Sequence, residues 1–275
     1  MAKRIIGQRE MIDGLLTALI AGGHILLEGV PGLAKTLAVK SLAEITGLTF
    51  KRLQFTPDLL PADLTGTLIW DQASLTFSVR KGPVFAHVIL ADEINRAPAK
   101  VQSALLEAME ERQVTIGENS YPLPEPFFVL ATENPIEHEG TYALPEAELD
   151  RFLLKLLVQY PSPEEEIRIL HRSAPVSLAP VLSLPRLESL QALAEGIYVD
   201  EKIARYIVSV VAATRPAGKR TELHSGNVRS GDFQSVSRDE KAGREGLYRY
   251  ISFGASPRAS IALYRCSRIR ALFEG

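Results

Sequence analysis

Residues 29–36 read Gly29-Val30-Pro31-Gly32-Leu33-Ala34-Lys35-Thr36. An apolar run, Ile25–Leu27, precedes them, and a stretch with helical periodicity, 37–45, follows. A glycine-rich loop between a strand and a helix turns its backbone N–H groups toward an anion, and the helix adds about half a positive charge at its N-terminus. The pattern therefore predicts a cradle for the phosphates of a nucleotide.

Two side chains at the end of the loop complete this interpretation. Lys35 would reach the β- and γ-phosphates, and the Thr36 hydroxyl would bind Mg²⁺, an ion that takes few protein ligands. Ala34 stands where such loops usually have a second glycine. Because alanine can adopt negative φ at a helix start, we expect the cradle to survive this departure. The alternative is a strand–turn–helix corner that contains Lys-Thr by chance.

The composition narrows the class of protein. A net charge of −2 in 275 residues gives no global field toward nucleic acid or anionic lipid. Cys266 is the single cysteine, which excludes an intramolecular disulfide and fits a reducing cytoplasm. No apolar run approaches the roughly 18 residues that span a bilayer, and the histidines lack metal-binding spacing. We expect a soluble protein without membrane insertion or a structural metal.

Short apolar segments alternate with helical ones over the first 160 residues, which is typical of a parallel sheet covered by helices. The pattern predicts an α/β core with five strands, at Ile25–Glu28, Thr49–Phe55, Val88–Asp92, Phe127–Thr132 and Leu153–Val158. Ser162-Pro163-Glu164-Glu165 is typical of a helix start. We therefore predict a nucleotide-binding core over 1–161 and a smaller, all-helical domain over 162–275.

A polar segment, 215–246, interrupts the helical pattern of the second domain and mixes basic with acidic residues. It favours an exposed insertion. A small hairpin and a basic contact surface are the alternatives, and we assign the segment no function.

Two carboxylates follow a strongly apolar strand at residues 88–91. Asp92 and Glu93 would stand where a phosphate-bound Mg²⁺ and an attacking water need acidic partners. Asp92 would hold Mg²⁺, and Glu93 would orient or deprotonate the water. An acidic turn at a strand end is the alternative. Asn134, at the end of the next buried strand, is predicted to hydrogen-bond the water or the γ-phosphate, although a loop-capping asparagine before proline has the same pattern.

Five segments occur in the order GVPGLAKT, LADEINRA, ATENP, LPEAELDRF and GASPRAS. Together they closely resemble the AAA+ ATPases, specifically the MoxR family, over nearly the whole chain. The resemblance implies a P-loop AAA+ core with a helical lid, and a ring, usually a hexamer, with ATP and Mg²⁺ at the subunit boundaries. Arg151 matches the arginine finger that a neighbouring subunit supplies, and Arg258 matches the second sensor, a lid residue that contacts the γ-phosphate. A local ion pair for Arg151 and a helix cap at Arg258 are the alternatives.

Further features enter through the same resemblance. Ile6 and Gly7 match the segment that lies against adenine, although an N-terminal core strand would have the same pattern. Insertions at 57–84 and 112–126 can face the ring pore in related proteins, whereas we expect Trp70 and Phe77 to be ordinary core aromatics. Relatives usually continue beyond the sensor helix, which implies an incomplete lid here.

The function that the resemblance implies is remodelling of client proteins, driven by ATP hydrolysis. MoxR relatives act as chaperone-like activators, often with partners that contain a von Willebrand factor A domain. Two alternatives stay open, a nucleic-acid motor and a nucleotide-gated scaffold with little turnover. Glu118 and Glu125 in the predicted hairpin argue against a surface that follows nucleic-acid phosphates.

Overall fold

The computed structural model describes residues 1–73, 75–135, 141–171, 176–215, 251 and 254–275. The helices in these ranges are α1 Arg9–Ile20, α2 Lys35–Thr46, α3 Pro61–Thr65, α4 Ala99–Glu111, α5 Glu146–Leu149, α6 Pro163–Leu170, α7 Leu184–Gly196, α8 Glu201–Ala213 and α9 Pro257–Glu274. The strands are β1 Ile25–Glu28, β2 Phe50–Gln54, β3 Gly66–Asp71, β4 Thr76–Lys81, β5 Val88–Asp92, β6 Gln113–Ile116, β7 Asn119–Pro122, β8 Phe128–Glu133 and β9 Leu154–Leu157.

The central sheet has five parallel strands in the order β2-β5-β8-β1-β9. The prediction of a five-stranded α/β core is confirmed, with strand ends within one residue of those expected. Because β5, β8 and β1 are direct neighbours and parallel, the loops that follow them leave the sheet at the same edge.

Both faces of the sheet are covered, as the near-continuous apolar sequences of β5 and β8 require. Alternate side chains point to opposite faces and form two buried clusters. The first cluster includes α1 and α2 together with Ile25, Leu27, Leu90 and Leu130. The second includes α4 together with Leu26, Ile89, Val129 and Ala131. The layers hold the carboxyl ends of the strands in fixed relative positions.

His24 and Arg112 connect the amino ends of the central strands to the end of α4 through hydrogen bonds. The imidazole Nδ1 of His24 accepts a hydrogen bond from the Val129 N–H at 3.0 Å, and its Nε2 lies 3.2 Å from the Met109 carbonyl oxygen. Arg112 donates to the carbonyl oxygens of Phe127 and Gly22. Burial and the nearby charge of Arg112 lower the pKa of His24 to about 3. The ring is therefore neutral at physiological pH.

The buried imidazole predicts acid sensitivity of the fold. The unfolded chain binds the His24 proton below pH 6.5, whereas the folded protein binds it only near pH 3, so stability is lost as the pH falls between these values. From pH 7 to pH 5 the loss from this group is about 2 kcal/mol. The free energy of unfolding, obtained from urea titrations at several pH values between 7 and 5, measures this loss. His24→Gln, which does not titrate, should flatten the curve over this interval, and an unchanged slope would contradict the assignment.

Two antiparallel hairpins leave the core. The first pairs β3 with β4 within the predicted insertion 57–84, and the second pairs β6 with β7 within 112–126. The expectation that Trp70 and Phe77 are core aromatics is wrong, because they are 47% and 65% exposed. The two rings contact each other edge to face across the hairpin, with centroids 5.0 Å apart. A two-stranded ribbon has no second layer under which to bury both.

The described residues group into two compact units, Met1–Ile197 with Arg265–Gly275, and Tyr198–Tyr264. Helix α6 begins as predicted, since Ser162 and Glu165 form reciprocal side-chain to backbone hydrogen bonds. The boundary at 161/162 stays a prediction, and residues 216–246 of the polar segment lie outside the described residues. Within these described ranges, no helix combines the length and hydropathy needed to cross a membrane.

Candidate nucleotide-binding site

A cavity of about 420 Å³ opens at the carboxyl ends of β1, β5 and β8. It is lined by the loop between β1 and α2, by the ends of β5 and β8, and by one side chain of the edge strand β2. The lining residues are Pro31, Gly32, Ala34, Lys35, Thr36, Leu37, Arg52, Asp92, Glu93, Thr132 and Asn134. The structure thus brings together the predicted loop, both predicted carboxylates and the predicted sensor.

The loop between β1 and α2 uses glycine at two constrained positions. A Cβ on Gly29 would lie 2.8 Å from the Val158 carbonyl oxygen, and Gly32 has a φ of +87°. Ala34 corrects an expectation, because its φ is +58° and not negative. A left-handed conformation costs a non-glycine residue about 1–2 kcal/mol. The loop keeps the glycine-like backbone at this position despite the alanine side chain.

The remaining loop residues anchor the cradle. Leu33 is buried in the first core cluster, and Val30 packs against it. The ammonium of Lys35, the first residue of α2, donates to the Gly29 carbonyl oxygen at 2.6 Å, at the start of the loop. Burial lowers the pKa of Lys35, although the charges of Asp92 and Glu93 oppose the shift. A partly desolvated ammonium attracts an anion more strongly, because less water screens its charge.

The two carboxylates at the end of β5 have different surroundings. Asp92 Oδ1 accepts a hydrogen bond from the Thr132 hydroxyl at 2.7 Å, and Oδ2 accepts two from Arg52 at 2.6 and 3.0 Å. Glu93 has a φ of +57°, and its Oε2 accepts from Gln54 Nε2 at 2.7 Å and lies 3.2 Å from Arg96 Nε. A strained backbone at this position turns the second carboxylate to a direction different from the first.

Threonine and asparagine at the end of β8 complete the wall of the cavity. Thr132 is 1% exposed, and its hydroxyl accepts from the Glu93 N–H at 2.8 Å while donating to Asp92. Asn134 is buried, and its backbone carbonyl oxygen accepts a hydrogen bond from Asn95 Nδ2 at 3.4 Å. The ends of β5 and β8 are therefore joined by polar contacts on the cavity side.

The donor set fits a magnesium ion that arrives with phosphates. Among the residues that the structure describes, no three His, Cys, Asp or Glu side chains cluster as a metal site. Thr36 and Asp92 nevertheless line the same cavity. Mg²⁺ commonly takes one or two protein ligands and completes its shell with phosphate oxygens and water. The two side chains suit that arrangement.

The other predicted site residues lie elsewhere. Ile6 and Gly7 belong to a segment near the end of β9, where Gln8 donates to the Gln159 carbonyl oxygen and a Cβ on Gly7 would meet the Glu165 carboxylate. Arg151 follows α5, outside the cavity lining, and its Nε forms an ion pair with Glu110 at 2.8 Å.

Arg258 belongs to the second compact unit, where it lies exposed in the first turn of α9. Its N–H donates to the Ser256 hydroxyl at 3.0 Å. That bond is the N-terminal cap expected of the Ser-Pro sequence.

Four polar residues around the carboxylates were not predicted from the sequence: Arg52, Gln54, Arg96 and Thr132. A signal existed for two of them. Arg52 and Gln54 alternate with Leu53 and Phe55, which indicates a polar face on β2.

The glycine-rich loop follows the central parallel strand β1, and acidic and amide side chains stand at the ends of β5 and β8. This arrangement defines a P-loop nucleotide-binding protein. Residues 24–154 match the family described as ATPases associated with various cellular activities (AAA). Chaperone MoxR1 of Mycobacterium tuberculosis is 47% identical over 273 residues, which are 98% of this chain and 67% of MoxR1. The chain belongs to the MoxR family of AAA+ ATPases.

Two further proteins agree with that membership. YeaC of Bacillus subtilis is 42% identical over 98% of this chain and 76% of its own length. The crystal structure of a Cytophaga hutchinsonii protein superposes with a TM-score of 0.83 at 45% identity, over 99% of this chain and 77% of that protein. The AAA+ fold predicted from the sequence is thereby confirmed.

Proposed function

We propose that this chain binds ATP with Mg²⁺ in the cavity at the ends of β1, β5 and β8 and hydrolyses it. One observation carries the proposal: the same cavity is lined by Lys35 and Thr36 at the start of α2, by Asp92 and Glu93, and by Asn134. These residue types are the ones that phosphoryl transfer uses to position phosphates, a metal ion and a water molecule.

The residues would divide the work. Lys35 would leave the Gly29 carbonyl oxygen and neutralise the phosphates. Thr36 and Asp92 would hold Mg²⁺, whose positive charge stabilises the negative charge of the phosphate oxygens. Glu93 would accept a proton from the attacking water, and Asn134 would orient that water or the γ-phosphate. Burial of the lysine strengthens its attraction to phosphate because less water screens it.

The proposal is tested with the unmodified chain. Calorimetry with ATP, in the presence of Mg²⁺ and separately in EDTA, measures binding, and release of inorganic phosphate measures turnover. We expect saturable binding together with steady phosphate release. Binding without phosphate release would identify a nucleotide-gated scaffold, and no binding at any Mg²⁺ concentration would refute the proposal.

A change at Glu93 separates binding from chemistry. Glu93→Gln keeps the size of the side chain but removes the base, so ATP should still bind while phosphate release falls about 10²- to 10⁴-fold. Filter retention of labelled ATP measures the trapped nucleotide. Glu107→Gln, at an exposed position of α4, is the matched control and should change neither quantity. Equal loss of ATP binding in Glu93→Gln and in Lys35→Ala would refute the division of roles.

We further propose a ring, of the hexameric type usual in AAA+ proteins, that remodels a client protein. The relative MoxR1 is named a chaperone, which supports the proposal of a client protein. The resemblance to the family suggests a partner with a von Willebrand factor A domain. In this proposal Arg151 completes the cavity of the neighbouring subunit, and Arg258 passes the nucleotide state to the lid. Native mass spectrometry with ATP and Mg²⁺ tests the ring, for which a monomer under all nucleotide conditions would be the contrary result.

A further inference from the structure

Arg52 is a cavity-lining side chain that the proposed chemistry leaves without a role. It lies on the edge strand β2, whose register aligns Gln54 with Asp92. Side chains two residues apart on a strand share a face, so Arg52 and Gln54 both stand on the face that carries Asp92. The register of this edge strand thus places the Arg52 guanidinium beside Asp92, the carboxylate that would hold Mg²⁺.

The hydrogen bonds to Asp92 leave little capacity for a metal ion. An ionised carboxylate offers about two acceptor positions on each oxygen. Arg52 Nε and Nη2 both donate to Oδ2, at 3.0 and 2.6 Å, and Thr132 donates to Oδ1. About one position, on Oδ1, is left for a metal ion or its bound water while Arg52 stays in place.

The charge balance points the same way. The Asp92 side chain is only 13% exposed, whereas that of Arg52 is 48% exposed. A carboxylate so far removed from water requires a positive partner, and in this conformation Arg52 provides it. Mg²⁺ would provide it when nucleotide is bound, and two cations close to one oxygen repel each other. Arg52, on an exposed edge strand, is the partner that is free to swing into solvent.

The same guanidinium also reaches the predicted base. Arg52 Nη2 donates to Gln54 Oε1 at 3.0 Å, and the Nε2 of that amide donates to Glu93 Oε2 at 2.7 Å. Arg52 therefore joins both carboxylates in one hydrogen-bond chain, so its departure from Asp92 would also release the amide that holds Glu93.

We propose that Arg52 is a positioning residue that neutralises Asp92 in the nucleotide-free protein and that the Mg²⁺ of the incoming nucleotide displaces it. The inference rests on the proposed binding of nucleotide and Mg²⁺ in this cavity. It makes the loading of the metal ion a competition with a residue of the protein, and it makes Arg52→Gln a variant that binds Mg²⁺ more tightly.

Mg²⁺ titration tests the competition without reference to turnover. A fluorescent ADP analogue is held on excess protein, and Mg²⁺ is added while its fluorescence is recorded. Arg52→Gln should lower the Mg²⁺ concentration at half-saturation about two- to fivefold, the upper part of the range expected when a partly exposed ion pair is removed. Arg52→Lys, which keeps the charge, should lie near the unmodified chain. Lys51→Gln, exposed on the opposite face of β2, is the matched control.

Two further measurements separate the alternatives. In EDTA, all variants should bind the ADP analogue equally, because the proposal gives Arg52 no contact with phosphate. Thermal unfolding should show that Mg²⁺ with ADP raises the Tm of Arg52→Gln more than that of the unmodified chain. An unchanged or higher Mg²⁺ requirement in Arg52→Gln, or weaker ADP binding in EDTA, would overturn the inference. Failure of the unmodified chain to bind ADP at all would instead overturn the proposed function.

Discussion

Arg151→Ala should leave ATP binding unchanged and reduce phosphate release about 10³- to 10⁵-fold, the effect of an arginine that meets charge developing in the transition state. Within its own subunit Arg151 lies outside the cavity lining and pairs with Glu110. Its removal should therefore spare the cradle of the same chain. Calorimetry measures the binding, and phosphate release measures the turnover. Arg9→Ala, at a highly exposed position of α1, is the control.

Mixing two inactive variants tests whether Arg151 acts across a subunit boundary. Arg151→Ala keeps an intact cavity, and Lys35→Ala keeps an intact arginine, so a mixed ring should place the arginine of one beside the cavity of the other. We expect partial recovery of phosphate release. If subunit exchange is shown by labelled chains and no recovery follows, Arg151 acts within its own subunit or only in the Glu110 ion pair.

The sequence predicted the central sheet well because its information is local. Each of β1, β5 and β8 is an apolar run, and a predicted site residue follows it within a few positions. The parallel arrangement then places those residues at one edge of the sheet. The same local pattern predicts the cradle, Asp92, Glu93 and Asn134, and these residues line one cavity in the structure. The order of parallel strands is enough to bring these residues together, and the residue-by-residue register between strands is not needed.

The environment of the carboxylates could not be predicted in the same manner. Arg52 reaches Asp92 only because β2 pairs with β5 in one particular register, and a shift by one residue would turn its side chain to the other face. Register is set by packing across the whole sheet. Alternation in β2 indicated a polar face, but nothing local in the sequence named the partner of that face.

Two expectations based on residue type are wrong because of the tertiary setting. The intrinsic preference of Ala34 predicts negative φ, yet the loop between β1 and α2 imposes a left-handed turn that the packing of Leu33 helps to hold. The residue types of Trp70 and Phe77 favour the core, whereas a two-stranded hairpin exposes both of its faces. In each case the tertiary setting overrides the residue preference.

Lys35→Ala should weaken ATP binding about 10²- to 10⁴-fold, because charge-assisted hydrogen bonds are worth about 1.5–3 kcal/mol each and this ammonium would reach two phosphates. The lysine is partly desolvated before nucleotide binds, which lowers its pKa and leaves the Gly29 carbonyl oxygen as its partner. Exchange of that carbonyl for phosphate therefore strengthens its interactions, and alanine cannot supply them.

Calorimetry with ATP and Mg²⁺ measures the loss in Lys35→Ala, and thermal unfolding verifies that the variant remains folded. Lys40→Ala is the matched control, since Lys40 is exposed on the same helix, α2, outside the cavity lining. It removes an equal charge from the same element, so any difference between the two variants reports position and not net charge. Wild-type affinity in Lys35→Ala would contradict the role given to this lysine, because a triphosphate in the cradle would then bind equally well without the ammonium that faces Asp92 and Glu93.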